Sequence, residues 1–214
     1  MLLADQLFFL AYSDRTGRSR LHPRATGLGL AAGLLAELML ARRIAVFDGG
    51  VHVVSREPPG DALTHDVLDL LLTQGRHRDL RTWLAFLGQD AADRVGGRLA
   101  RADALTEVRR RGLRRTQTVY LPSSDERRRN AAAWEPVRLA EVLLHRRAMT
   151  ESDAVLTGLM AATGLTRHVL WDPERHRPAV AWIATVVDSL PDDLHELVTA
   201  TEAAVGAAVA AGRR

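Results

Sequence analysis

Apolar positions recur at helical spacing from the start of the chain. Leu3, Leu7 and Leu10 share one face, and the run stops at Ser13-Asp14-Arg15-Thr16-Gly17, which has the composition of a turn. After Pro23 the spacing predicts a second helix to about Ala41, with Leu30, Leu34, Leu35 and Leu38 on its buried face. Ile44–Phe47 and Val51–Val54 flank Asp48-Gly49-Gly50, a hairpin signal because Asp-Gly tolerates the positive φ of tight turns. Pro58-Pro59-Gly60 then breaks the chain. Asp61 is placed to cap a helix carrying Leu63, Val67, Leu70 and Leu71. Further helices are expected around Trp83 and from Asp90 to Arg111, the latter ended by Gly112 acting as a C-cap. Leu113–Leu121 reads as a second, polar hairpin closed by Pro122. From Asn130 onward the pattern is helical, with Thr150 or Ser152 as caps, Pro173, Pro178 and Pro191 as punctuation, and an Ala/Val-rich final helix. The fold class expected is mainly α: a single globular helical domain, 1–214, with one or two small β-hairpins.

Composition narrows the chemistry. An apolar content of 47% over 214 residues can build a core unaided, and the absence of cysteine removes disulfides, thiolate metal sites and cysteine nucleophiles together. The start of the chain, apolar but bearing Asp5 and Gln6 with no basic residue ahead of them, differs from a secretory signal. The longest other apolar stretch, Gly27–Ala41, is too short to span a bilayer and contains Glu37. A cytoplasmic protein is expected, any membrane contact being peripheral.

All 29 basic residues are arginine. Arginine keeps its charge and forks onto phosphate or carboxylate. Between Arg94 and Arg147 there are 14 arginines and six acids, a local balance of +8 in a chain of net charge +3, so the remainder carries −5. Arg94, Arg98 and Arg101 stand at i, i+4 and i+7, beside the apolar row Val95, Leu99 and Ala102. Such a triad can chelate a phosphate monoester or follow a nucleic-acid backbone; the alternative is a solvated face with local ion pairs. Tyr120 and Trp134 are isolated, so no aromatic platform for bases is evident.

Other motifs are weaker. Gly27-Leu28-Gly29-Leu30-Ala31-Ala32-Gly33, with Asp48 beyond it, resembles a loose dinucleotide fingerprint, but Arg18–Thr26 supplies no buried strand to feed the first glycine. A close-packed helix rich in small residues is the better reading. His195-Glu196 lacks a second histidine at helical spacing, and His65 with Asp66 and Asp69 lacks a fourth ligand, so no metal is expected. Neither a Gly-x-Ser-x-Gly elbow nor a phosphate loop is present, and no cofactor is expected.

Five blocks in order resemble the Golgi phosphoprotein three family, as a bacterial-type member: Leu7–Gly17, Leu34–Ile44, Pro58–Asp61 before Leu68, Thr82–Leu84, and Arg109–Arg114. The resemblance covers about half the chain. It implies a mainly helical fold without enzymatic activity, which in eukaryotic members binds phosphatidylinositol 4-phosphate on Golgi membranes and recruits glycosyltransferase tails. It also implies a hairpin used in oligomerisation and membrane contact, here Leu113–Leu121. Counting back from Gly112 places two of the family's headgroup arginines on Arg98 and Arg101. The block at Glu37-Leu38 puts His22 where the family has tryptophan and Ala31 where it has another arginine, for which Arg20 or Arg24 is a substitute.

The function these readings imply is that of a non-catalytic peripheral membrane protein on the cytoplasmic face. It would bind anionic lipid headgroups through Arg98, Arg101 and His22, with protein tails and further copies of itself as additional partners. The alternatives are a nucleic-acid-binding regulator or a protein-binding scaffold using the same basic surface.

Overall fold

The computed structural model describes residues 1–111, 116–123, 125–172 and 176–211, with side chains throughout these except at 109–111, 116–118, 127–129, 131 and 132. Among the described residues the chain forms ten helices and two separate two-stranded antiparallel sheets, a mainly α fold.

The second helix, α2 (Pro23–Leu40), is the axis of the molecule. It is buried on every side from Ala25 to Met39, not only along the expected leucine face. A helix apolar all round belongs inside a bundle, and α1 (Leu3–Ala11), α3 (Ala62–Thr73), α4 (Leu80–Leu87), α5 (Ala91–Arg101), α7 (Glu151–Ala162) and α10 (Asp192–Ala211) all pack on it. Its glycines are contact points. A Cβ on Gly27 would stand 2.1 Å from the Gly88 carbonyl oxygen, one on Gly29 2.5 Å from the Thr163 methyl, and one on Gly33 3.1 Å from Ala4. The glycine run thus brings helices close together and has no strand before it.

The first hairpin pairs β1 (Ile44–Phe47) with β2 (Gly50–Val53), Phe47 opposite Gly50. Its two-residue turn is Asp48-Gly49, both at positive φ, +53° and +70°. This is the mirror-image turn whose twist matches paired strands.

The stretch after Asp90 departs from expectation. Helix α5 stops at Arg101, Asp103 adopts φ +56°, and the chain enters β3 (Leu105–Arg111), which pairs with β4 (Thr116–Pro122) in the register Leu105↔Pro122 to Arg111↔Thr116. The hairpin therefore takes in residues that helical spacing had claimed, because Tyr120 on β4 reaches α5 and holds the ribbon to it. The Tyr120 hydroxyl donates to the Asp93 carbonyl at 3.0 Å, and its ring covers Gly96, where a Cβ would come within 2.4 Å. Gly112, Arg114 and Arg115 lie outside the described residues.

The rest is helical: α6 (Glu126–Leu144), which contains Pro136, then α7, the single turn α8 (Thr166–Val169), α9 (Arg177–Asp188) and α10. Thr150 caps α7 through a reciprocal capping box with Asp153. No helix among the described residues is long and apolar enough to cross a membrane.

Candidate functional site

The basic triad divides. Arg98 turns into the protein and is 8% exposed. Its Nε donates to Asp5 Oδ1 at 2.8 Å, its Nη2 to Glu37 Oε1 at 3.0 Å, and its Nη1 to Glu37 Oε2 and to Asp61 Oδ2, each at 3.0 Å. Glu37 is gripped in the forked, two-bond manner that suits a guanidinium, and its Oε1 also accepts the Ala4 backbone N–H at 2.7 Å. Asp61 caps α3 by accepting from the Thr64 N–H at 3.0 Å. One guanidinium thereby ties α1, α2, the start of α3 and α5.

Burial sets the titration of this cluster. Desolvation pushes the Asp5 and Glu37 carboxyls above their ordinary range even against the pull of Arg98. Burial also works against charge at Asp61, but the Thr64 N–H and the Arg98 charge outweigh it and hold that carboxyl below its ordinary value. Desolvation opposes the Arg98 charge too, and is overcome by the hydrogen bonds and charges of its carboxylates, so Arg98 keeps its proton more tightly than a free arginine.

The structure therefore assigns Arg98 an internal task. A phosphate would have to displace carboxylates already in bonding contact, in a place where Arg98 is largely withdrawn from solvent. Arg94, at the start of the same helix, is 3.5 Å from Asp66. Arg101 is exposed in the last turn of α5, near Tyr120, where its charge opposes the burial-driven rise of that phenol. His22 is exposed at the N-cap of α2, its Nδ1 accepting the Arg24 backbone N–H at 3.3 Å. Among the described residues, none of the principal cavities is lined by His22, Arg98 or Arg101.

Another groove gathers exposed cations. The first two turns of α2, α4 with the Gly88-Gln89 that follows it, and the last turns of α10 border an open groove of about 510 Å³, lined by Arg24, Leu28, Arg81, Gln89 and the alanines Ala204 and Ala208, among others. This falls within the ordinary range for small-molecule sites. Arg24 and Arg81 are both exposed, and among the described residues neither has a carboxylate within salt-bridge distance. The neighbouring Asp79 accepts from the Thr82 hydroxyl at 2.6 Å and N–H at 2.7 Å, which, with a smaller pull from the Arg81 charge, hold its carboxyl below the ordinary range. His22 adjoins the groove through Pro23, whereas Arg101 ends α5, about 15 Å by helical rise from the start of that helix at Ala91.

Arg24 was visible in the sequence only as a stand-in for the charge missing at Ala31. Arg81 was not singled out, and its one signal was its place beside Thr82-Trp83-Leu84. Among the described residues no three His, Asp or Glu side chains are grouped to hold a metal ion. The buried histidine atoms without a partner, His65 Nδ1 and His168 Nε2, lie on different helices.

The fold is a helical bundle around an axis buried from Ala25 to Met39, tied by one arginine among three carboxylates and carrying a surface groove with two exposed arginines. The comparison with known families specifies it further: the profile of Golgi phosphoprotein 3 (GPP34) matches residues 3–210, nearly the whole chain. The chain belongs to that family. Comparison with curated proteins finds no match.

Proposed function

We propose that the chain is a non-catalytic, peripheral membrane-binding protein that takes the phosphorylated headgroup of an anionic lipid into the groove between α2, α4 and α10. The observation that carries this reading is the pair Arg24 and Arg81, two exposed guanidinium groups on one groove, neither within salt-bridge distance of a carboxylate among the described residues. Membership of the Golgi phosphoprotein 3 family supports a lipid-directed adaptor role, phosphatidylinositol 4-phosphate being the headgroup that role suggests. Arg24 and Arg81 would clamp the phosphate, Gln89 would hydrogen-bond the ring hydroxyls, and His22 would border the entrance. Arg101 and the arginines of the β3–β4 ribbon would add attraction at a distance, and Arg98 would hold the helices that form the groove.

Vesicle flotation tests the proposal. Phosphatidylcholine vesicles should leave the protein at the bottom of the gradient, and vesicles with phosphatidylinositol 4-phosphate should carry it up. Each surface arginine is worth about 1 kcal/mol beside anionic lipid, so Arg24→Ala with Arg81→Ala should weaken binding roughly 30-fold. Loss of binding to every anionic vesicle, together with salt-sensitive retention of duplex DNA, would transfer the basic surface to a nucleic-acid ligand instead.

A further inference from the structure

A second cavity shares no lining residue with the headgroup groove. It lies between the end of α1, the β3–β4 ribbon and α6 and has a volume of about 210 Å³. We propose that it binds a small amphipathic carboxylate, the apolar part inside and the carboxylate on Arg20 at the rim.

The apolar end follows from the walls. Phe8, Tyr12, Leu105, Tyr120, Pro136 and Val137 are among them. The rings are braced: Phe8 stacks on Tyr12 with centroids 4.1 Å apart and meets Tyr120 edge-on at 6.1 Å, while the Tyr120 hydroxyl is anchored on Asp93. On the other side Gly17, at φ +64°, lies so close to the Tyr120 carbonyl that a Cβ there would overlap it. Walls fixed in this way cannot collapse to fill the space. An apolar cavity of about 150 Å³ is known to stay dry and admit benzene; scaled to this volume, the space suits an apolar group of about eight carbons.

The charged end follows from Arg20. A guanidinium has five N–H donors. Among the described residues the Arg20 guanidinium makes one hydrogen bond, from Nε to the Tyr12 carbonyl at 3.4 Å. Its nearest carboxylate, Asp14, stands at 3.8 Å, beyond hydrogen-bond range, and is about half exposed. A ligand carboxylate would replace that loose contact with short charge-assisted bonds, and Asp14 would turn to water. A cationic head would meet Arg20 unfavourably, and a neutral head would gain only the burial of its chain.

The test is calorimetric titration of the full chain with octanoate, octanol and octylamine below their micelle concentrations. Octanoate should bind at one saturable site, octanol at least tenfold more weakly, and octylamine more weakly still. Arg20→Ala should lower octanoate affinity at least tenfold and leave octanol unchanged. Ala133→Phe, which projects a ring into the cavity from α6, should remove binding of both; Val137→Trp serves if that variant fails to fold. Arg24→Ala with Arg81→Ala should leave octanoate binding intact, so failure of the headgroup reading does not touch this one. No saturable octanoate binding, equal binding of octylamine, or unchanged binding in a folded cavity-filling variant would overturn the proposal.

Discussion

Replacing Arg98 by methionine removes the one cation among Asp5, Glu37 and Asp61 while keeping much of the side chain's volume. Glu37 loses a two-bond grip, and Asp5 and Asp61 each lose a bond of 2.8–3.0 Å. Breaking a buried pair by deleting one partner costs about 3–5 kcal/mol, because the remaining charge is left uncompensated. For a chain of this size 1 kcal/mol moves the thermal midpoint by about 2–4 °C, so Arg98→Met should unfold roughly 6–20 °C below the wild type. The pH dependence gives an independent sign. Without Arg98 the Asp5 and Glu37 carboxyls, already raised by burial, rise further. A carboxyl raised on folding contributes stability that is complete below its unfolded pKa and is lost as pH climbs through the folded value. The deficit of Arg98→Met should therefore be smallest near pH ~4 and grow toward pH ~7. Urea denaturation of both proteins across that interval measures it, with Arg101→Met as a control expected within about 0.5 kcal/mol of wild type. A deficit below about 1 kcal/mol, or one flat with pH, would refute the view that Arg98 is the internal counter-ion of this cluster.

Further outcomes can be checked alongside. Gly27→Ala should cost about 1–3 kcal/mol by forcing α2 and α4 apart at Gly88, whereas Gly206→Ala, on an exposed turn of α10 with nothing near its Cβ position, should gain about 0.5–1 kcal/mol; denaturant midpoints separate the two. Thr150→Ala should lose about 1 kcal/mol through the α7 cap, read in the same experiment. Burial pushes the Tyr12 phenol up to about 12. Its contribution to stability should be intact below the unfolded tyrosine value of about 10 and fall as pH rises through the folded one, which an ultraviolet titration of wild type against Tyr12→Phe would show.

The helices and the first hairpin were legible because each has a local cause: leucine spacing in α2, Asp48-Gly49 at the turn, Asp61 before α3 and Thr150 before α7. The end of α5 was not, because what draws the chain into β3 is Tyr120 packing on Gly96 from more than twenty residues away. Arg98 shows the same limit. Spacing grouped it with Arg94 and Arg101, yet it stands between Val95 and Leu99 on the arc that α5 buries. Its partners are separated from it by 93, 61 and 37 positions. A signal was nonetheless present: Asp5, the one charge in the first helix, and Glu37 within the longest apolar stretch are charges that burial tolerates only with a partner. The Arg24–Arg81 groove left no such trace, since α2 and α4 meet there through two glycines and the sequence does not say which helices will touch.

The proposed function stands or falls with a phosphorylated headgroup in this groove. Titrating inositol 1,4-bisphosphate into isotope-labelled protein and following backbone amide shifts tests it most directly. Saturable shifts should be confined to residues around Arg24, Leu28, Arg81 and Gln89, abolished by Arg24→Ala with Arg81→Ala and retained in Arg101→Met. Shifts centred on Arg101 and the β3–β4 ribbon, or none at saturating headgroup, would contradict it.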